Sequence, residues 1–177
     1  MPNLILSLLP WAVLASNIAA LVLFVSLIFR DSFGREIATW AGKHALALGL
    51  LVSSGAVFGS LFYSNVMGYE PCVLCWWQRL AIYPTFILFL TALFRKDRKV
   101  FHYVFPLSLI AAVISTYHSY VQWGGSPLIP CDVEGTCNRL YVYAFGYITI
   151  PTMVLSVAVL LILLWWANKI YENRNSR

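Results

Sequence analysis

Apolar residues along this chain come in five long blocks, with short polar connections between them. A helix needs about 20 apolar residues to cross the hydrocarbon of a bilayer. Five blocks reach that length: about Pro10 to Phe29, Ala45 to Val66, Val73 to Phe94, Phe101 to Trp123 and Tyr147 to Trp166. The pattern therefore predicts an all-α, polytopic membrane protein. The first block lacks a basic leader and has no clear small-x-small cleavage site before Arg30, so it is expected to stay as a helix and not to be removed as a signal peptide. In the second block, Lys43 is placed to snorkel at the start, and Gly55 and Gly59 form a small-xxx-small pair expected to pack closely against another helix.

Charge in the connections sets a direction. Short cytoplasmic connections of membrane proteins are enriched in Lys and Arg. The strongest basic cluster is RKDRK, Arg95 to Lys99, which places that connection in the cytoplasm. Alternation then puts Arg30, Arg35 and Lys43 on the same side, together with the tail bearing Lys169, Arg174 and Arg177. The opposite side receives the first nine residues, which hold no Lys or Arg, and two loops that carry only Arg139 between them. One topology satisfies every connection.

Composition agrees and narrows the classes. The 177 residues are 60% hydrophobic and 11% charged, well below the roughly 25% charged content of soluble domains. The net charge of +5 would otherwise point to nucleic acid, but the cations flank apolar blocks, as membrane-flanking charge does.

The four cysteines all fall in the two loops opposite the basic side, as Cys72 and Cys75 in PCVLC and Cys131 and Cys137 in CDVEGTC. Disulfides persist outside the cytoplasm. Four cysteines allow three pairings, and spacing favours the two local ones. Two structural staples would account for Cys131–Cys137. They account poorly for Cys72–Cys75, because so small a ring constrains little of the unfolded chain. A four-thiolate zinc site is the other bland reading, but the second pair has five intervening residues and an oxidising compartment competes for the thiols. No metal is expected. Pro71 precedes Cys72 and suits a first helical turn, so Cys72 is expected at a helix N-terminus, where free amides favour a thiolate and the nearby Glu70 opposes one.

Two further residues stand out. Arg79 follows Cys72 by seven positions and Cys75 by four, so all three share a helical face. A charge within a membrane span is expensive and usually functional. His118 lies about five residues from the outer end of the fourth block, at a depth similar to that of Arg79. Together they can hydrogen-bond a polar head group near the outer leaflet. A dithiol that becomes a disulfide must pass on two electrons. Strongly oxidising extracytoplasmic thiol proteins sit near about −120 mV and thioredoxin near about −270 mV, so a thioredoxin-like disulfide would oxidise them only uphill, by roughly 7 kcal/mol. The acceptor has to be strongly oxidising, nearby and soluble in lipid. A membrane quinone, ubiquinone or menaquinone, meets those demands.

PCVLCWWQR, Pro71 to Arg79, resembles the signature of the DsbB/BdbC family of membrane thiol oxidoreductases. STYHSYVQ, Ser115 to Gln122, and FGYITIP, Phe145 to Pro151, are similar to its histidine-bearing helix end and the start of its last helix. The resemblance implies a four-helix bundle in a bacterial cytoplasmic membrane, with the first helix as an addition. It divides the chain into 1–44 (extra helix and cytoplasmic connection), 45–168 (thiol oxidoreductase core) and 169–177 (cytoplasmic tail). It implies that Cys72 and Cys75 are the quinone-linked pair and that Cys131 and Cys137 meet a soluble thioredoxin-like oxidase of the DsbA/BdbD kind. It also implies that Arg79 and His118 contact the quinone. Cys75, deeper and one turn from Arg79, is expected to face it. The second loop is short, which argues against a long rearrangement between the pairs. The vitamin K epoxide reductase type has the two pairs in the opposite order. The competing class is a membrane scaffold or transporter subunit with two structural disulfides.

Overall fold

The computed structural model describes residues 2–29, 32–126, 128 and 136–175. Six α-helices are present among them: α1 (Pro2–Ile28), α2 (Ser32–Lys43), α3 (Ala45–Leu61), α4 (Val73–Arg95), α5 (Phe101–Gln122) and α6 (Ile150–Asn175). Five helical segments are long and apolar enough to cross a membrane: Ile5–Ile28, Ala45–Val66, Val73–Arg95, Arg98–Gln122 and Ile150–Asn175. The protein is an all-α polytopic membrane protein.

Three boundaries differ from the sequence reading. α1 begins before Pro10 and carries that proline inside the helix. α6 starts at Ile150 because the preceding residues make a tight turn, with Phe145 and Gly146 at φ of 50° and 77° and a bridge between Ala144 and Ile148. It then runs on to Asn175, past the apolar block. The third difference is α2, which was read only as a charged connection. Gly34, Ala38, Ala41 and Gly42 recur at helical spacing and are buried. Phe33 and Trp40 stay exposed.

The basic end of the bundle is densely packed. Leu23 and Leu27 of α1, Phe89 of α4, Phe101 of α5 and Leu161 and Leu164 of α6 belong to one buried cluster. Two glycines permit this closeness. A Cβ on Gly42 would lie 2.5 Å from the Ala167 carbonyl oxygen, and one on Gly49 would lie 2.5 Å from the Phe89 ring. Lys96 ends α4 in the left-handed region at φ 54°, and Asp97 Oδ1 accepts from the Lys99 amide to start the next turn. Arg98, one of the cations used to set direction, turns inward. It donates to the Gly42 and Lys43 carbonyls at 2.7 Å each and to Asn168 Oδ1 at 2.6 Å, and lies over the Tyr171 ring at 4.7 Å. It thereby satisfies the last carbonyls of α2 and joins them to α6.

The opposite end carries the cysteines and is looser. α3 closes with a π-helical turn, Phe62–Val66, after which Tyr63, Tyr69 and Tyr141 stack in sequence with centroids 5.9 and 4.7 Å apart. Gly55 and Gly59 do not make the tight helix contact expected of them. A Cβ on Gly55 would meet nothing within 4 Å, and one on Gly59 would meet only Leu9 Cδ2, at 3.5 Å. Both glycines line a cavity.

Candidate active site

Cys72 occupies the N-cap of α4, with extended backbone at φ −69° and ψ 171°. Pro71 stands one position before the cap, outside the first turn. Because the first amides of a helix have no partner within it, the Cys72 sulfur accepts from the Cys75 amide at 3.3 Å. The next turn brings the Cys75 sulfur to 3.0 Å from that of Cys72, both as free thiols. Cys72 is buried and Cys75 partly so.

His118 reaches the pair from α5. Its Nε2 lies 3.7 Å from Cys72 Sγ and 3.3 Å from the carbonyl oxygen of Cys137, and its Nδ1 lies 3.3 Å from Gln78 Nε2. With the Gln78 amide nitrogen facing Nδ1, that ring nitrogen accepts and Nε2 carries the proton. Nε2–H then points at both Cys72 Sγ and the Cys137 carbonyl. The hydrogen bond from the Cys75 thiol, with the His118 imidazole adding to it, pulls the Cys72 thiol down to about 4, while burial opposes the shift.

Cys137 is disulfide-bonded and sits in one buried cluster with Cys72, Leu74 and Val121. Its expected partner Cys131 lies outside the described residues. A bonded Cys137 removes one ligand from the four-thiolate zinc site considered above. A different donor set is present: the ligand atoms of Cys72, Cys75 and His118 lie within 4.8 Å of one another. Two thiols and an imidazole at that spacing are the kind of set that holds zinc with a fourth position open.

Arg79 is placed one turn beyond Cys75. Its Nε donates to Ser60 Oγ at 3.0 Å and its Nη2 to the Ser60 carbonyl at 3.3 Å, while the guanidinium lies 5.2 Å from the Trp76 ring. Tyr83 donates to the same Ser60 hydroxyl at 3.2 Å. Cys72, Cys75, Arg79 and His118 all line one cavity of about 550 Å³, whose remaining walls are mostly apolar. That size is typical of small-molecule sites, which run from about 300 to 1,000 Å³.

Of the six residues singled out in the sequence, Cys72, Cys75 and His118 are thus in contact. Arg79 joins them along the cavity wall, and Cys137 joins through its carbonyl. Two participants were missed. Gln78 is 2% exposed in a membrane-spanning helix, and a buried amide there is itself a signal. Ser60 carries no signal of its own in the sequence, because its pairing with Arg79 depends on how α3 and α4 pack.

The profile of the disulfide bond formation protein DsbB matches residues 42–168 of the chain. The chain belongs to the DsbB family. It is 33% identical over 134 residues to the probable disulfide formation protein C 2 of Bacillus anthracis, covering 75% of this chain and 96% of that protein. It is 38% identical over 110 residues to the disulfide bond formation protein C of Bacillus subtilis, covering 61% and 80%, respectively. It is 41% identical over 117 residues to the probable disulfide formation protein of Oceanobacillus iheyensis, covering 60% and 75%. No solved structure matches. As a DsbB family member the chain is a membrane disulfide bond formation protein. The matched residues include both cysteine pairs, Arg79 and His118, and leave α1 and nearly all of α2 outside.

Proposed function

We propose that this protein is a thiol:quinone oxidoreductase that reoxidises an extracytoplasmic thioredoxin-like dithiol oxidase of the DsbA/BdbD kind. It would reside in a bacterial cytoplasmic membrane, with both cysteine pairs outside, the C-terminus in the cytoplasm and residues 45–168 as the catalytic core. The observation that carries this reading is the meeting of Cys72, Cys75 and His118 on the wall of an apolar cavity, with Cys137 on the same imidazole nitrogen.

In this reading a thiolate of the reduced partner attacks the Cys131–Cys137 disulfide and forms a mixed disulfide. The partner's second thiolate closes its own disulfide and releases Cys131 and Cys137 as a dithiol. Two further exchanges reduce the Cys72–Cys75 disulfide and restore Cys131–Cys137. The free Cys72 and Cys75 beside a bonded Cys137 match this point of the cycle. Cys72 shares a buried cluster and the His118 Nε2 with Cys137, and its acidity makes it a good leaving group in exchange. His118 Nε2–H and the Cys75 amide hold the resulting thiolate.

The cavity fits a quinone. It has polar groups where a ring carbonyl would sit and apolar walls elsewhere. A bound quinone, ubiquinone or menaquinone, supplies the acceptor for the two electrons and two protons that leave the Cys72–Cys75 dithiol. Arg79, itself held in place by Ser60, would hold its head group, and His118, whose one N–H stays on Cys72 and the Cys137 carbonyl, would border it. Cys75, one turn from Arg79, would face it. A scaffold with two structural staples would have no use for an imidazole on Cys72 or for an apolar cavity beside the pair.

The test is quinone reduction by purified protein supplied with reduced partner. Cys75→Ser is expected to abolish turnover; wild-type turnover in that variant would refute the mechanism. Arg79→Ala is expected to raise the apparent quinone KM by about 5- to 30-fold, equivalent to about 1–2 kcal/mol for a charge-assisted hydrogen bond. Labelling of Cys72 or Cys137 by an impermeant thiol reagent from the cytoplasmic side would refute the orientation.

A further inference from the structure

Helix α1 precedes the family-matched residues 42–168, yet it forms part of the cavity beside the cysteines. Leu9, Ala12, Ser16 and Ala19 line it from α1, opposite Gly55 and Gly59 of α3. These two glycines leave a gap, since a Cβ on Gly55 would touch nothing within 4 Å and one on Gly59 would touch only Leu9. α1 is fixed elsewhere. At the cysteine end the Trp11 ring meets Phe145 edge-on at 4.8 Å, and Asn17 Nδ2 donates to the Tyr147 hydroxyl at 3.2 Å. At the basic end Leu23 and Leu27 enter the packed cluster. Phe145 and Tyr147 belong to the turn that leads into α6. Its anchors therefore tie α1 to the α6 side, which leaves an apolar slot between α1 and α3. The slot is continuous with the polar corner at Cys75, Arg79 and His118.

We propose that α1 is a specificity element, and that the slot takes the hydrocarbon tail of the lipid-soluble oxidant while its ring lies at Arg79 and His118. The inference rests on the quinone reading above and adds to it a role for the helix outside the family match. Ala12 and Ser16 of α1 and Gly55 of α3 leave room for the tail, and Leu9 bounds the slot beside Gly59. Ser16 is the one polar side chain among these residues, so the slot favours hydrocarbon over any charged or hydrogen-bonding ligand.

The experiment uses the full chain and two quinones with the same ring, one carrying a long isoprenoid tail and one without it. Gly55→Leu and Ala12→Leu narrow the slot from its two sides. Each is expected to lower the preference for the tailed quinone, read as the ratio of the two kcat/KM values, by about tenfold, the effect of expelling roughly two methylene groups. An unchanged ratio in both variants, with both folded by thermal unfolding, overturns the proposal. A second readout does not depend on turnover. A tailed quinone with a photoreactive group at the end of its tail is expected to crosslink to a peptide containing residues 9–19, in the wild type and in Cys75→Ser alike. Crosslinking confined to α5 would overturn the proposal. Absence of quinone reduction by the wild type would overturn the oxidoreductase reading, whereas crosslinking to α1 in Cys75→Ser tests the wall alone.

Discussion

Gly49 and Gly55 lie on the same helix, and their surroundings are opposite. Gly49 faces the ring of Phe89 so closely that a methyl group has no room, whereas Gly55 faces open space. The first belongs to the basic end, where Phe89, Phe101 and the α6 leucines pack into one buried cluster. The second belongs to the cysteine end, where a cavity of about 550 Å³ adjoins the thiols. Lipid gives helices no hydrophobic reason to associate, so packing and polar bonds must hold such a bundle together. Here the close packing is concentrated at the basic end, while at the cysteine end polar bonds such as Arg79 to Ser60 and Gln78 to His118 hold the helices around a space for a ligand.

The comparison can be sharpened first at Cys72, where the largest effect is expected. A thiol pulled down to about 4 stays ionised through neutral pH and regains its proton only in acid. At about pH 6 an ordinary thiol of pKa about 8.5 is well under 1% thiolate, so the ionised fraction of Cys72 should exceed it by roughly 300-fold. Far-ultraviolet thiolate absorbance of the reduced protein, compared with Cys72→Ala, measures this. His118→Ala should move the midpoint upward. A titration with no thiolate below neutral pH would contradict the hydrogen bonding described at the helix cap.

Next comes the basic end. Arg98→Ala removes three donated hydrogen bonds and strands the carbonyls of Gly42 and Lys43. A loss of about 2–3 kcal/mol is expected, with α2 gaining amide exchange before the rest of the bundle. The smallest effects test the two glycines directly. Gly49→Ala should destabilise by about 1–3 kcal/mol, as overpacking of a filled core does. Gly55→Ala should be neutral or stabilising by up to about 1 kcal/mol, because only the helix propensity changes. Thermal unfolding of both variants under the same conditions would show whether the signs differ. Equal effects would mean the two ends are packed alike.

How much of this was legible in the sequence follows the range of the forces involved. The apolar blocks predicted three of the five spans to within about three residues at both ends, since span length is dictated by the bilayer, but they stopped short of the end of α6 at Asn175. α1 starts before the apolar block that was expected to begin at about Pro10. The helix runs through Pro10, which lies in its third turn and leaves one backbone hydrogen bond unmade. The pattern of Gly34, Ala38, Ala41 and Gly42 was present in the sequence, but attention to charge hid it. The shared face of Cys72, Cys75 and Arg79 followed from helical spacing, and all three line the same cavity. The contacts of His118 with Gln78 and the Cys137 carbonyl join residues 40 and 19 positions apart, and no local pattern encodes them. The glycine pair on α3 was misjudged for the same reason: small residues permit approach, but whether a neighbour takes it up is decided by where α1 docks.

Arg98 grips the main chain of α2 at Gly42 and Lys43 and leaves its side chains alone. Every amino acid offers the same carbonyl oxygen, so this joint is indifferent to the identity of residue 43. Mutation can rework the outward face of α2, and with it whatever that face meets, without loosening the hinge point that ties the first two helices to the rest.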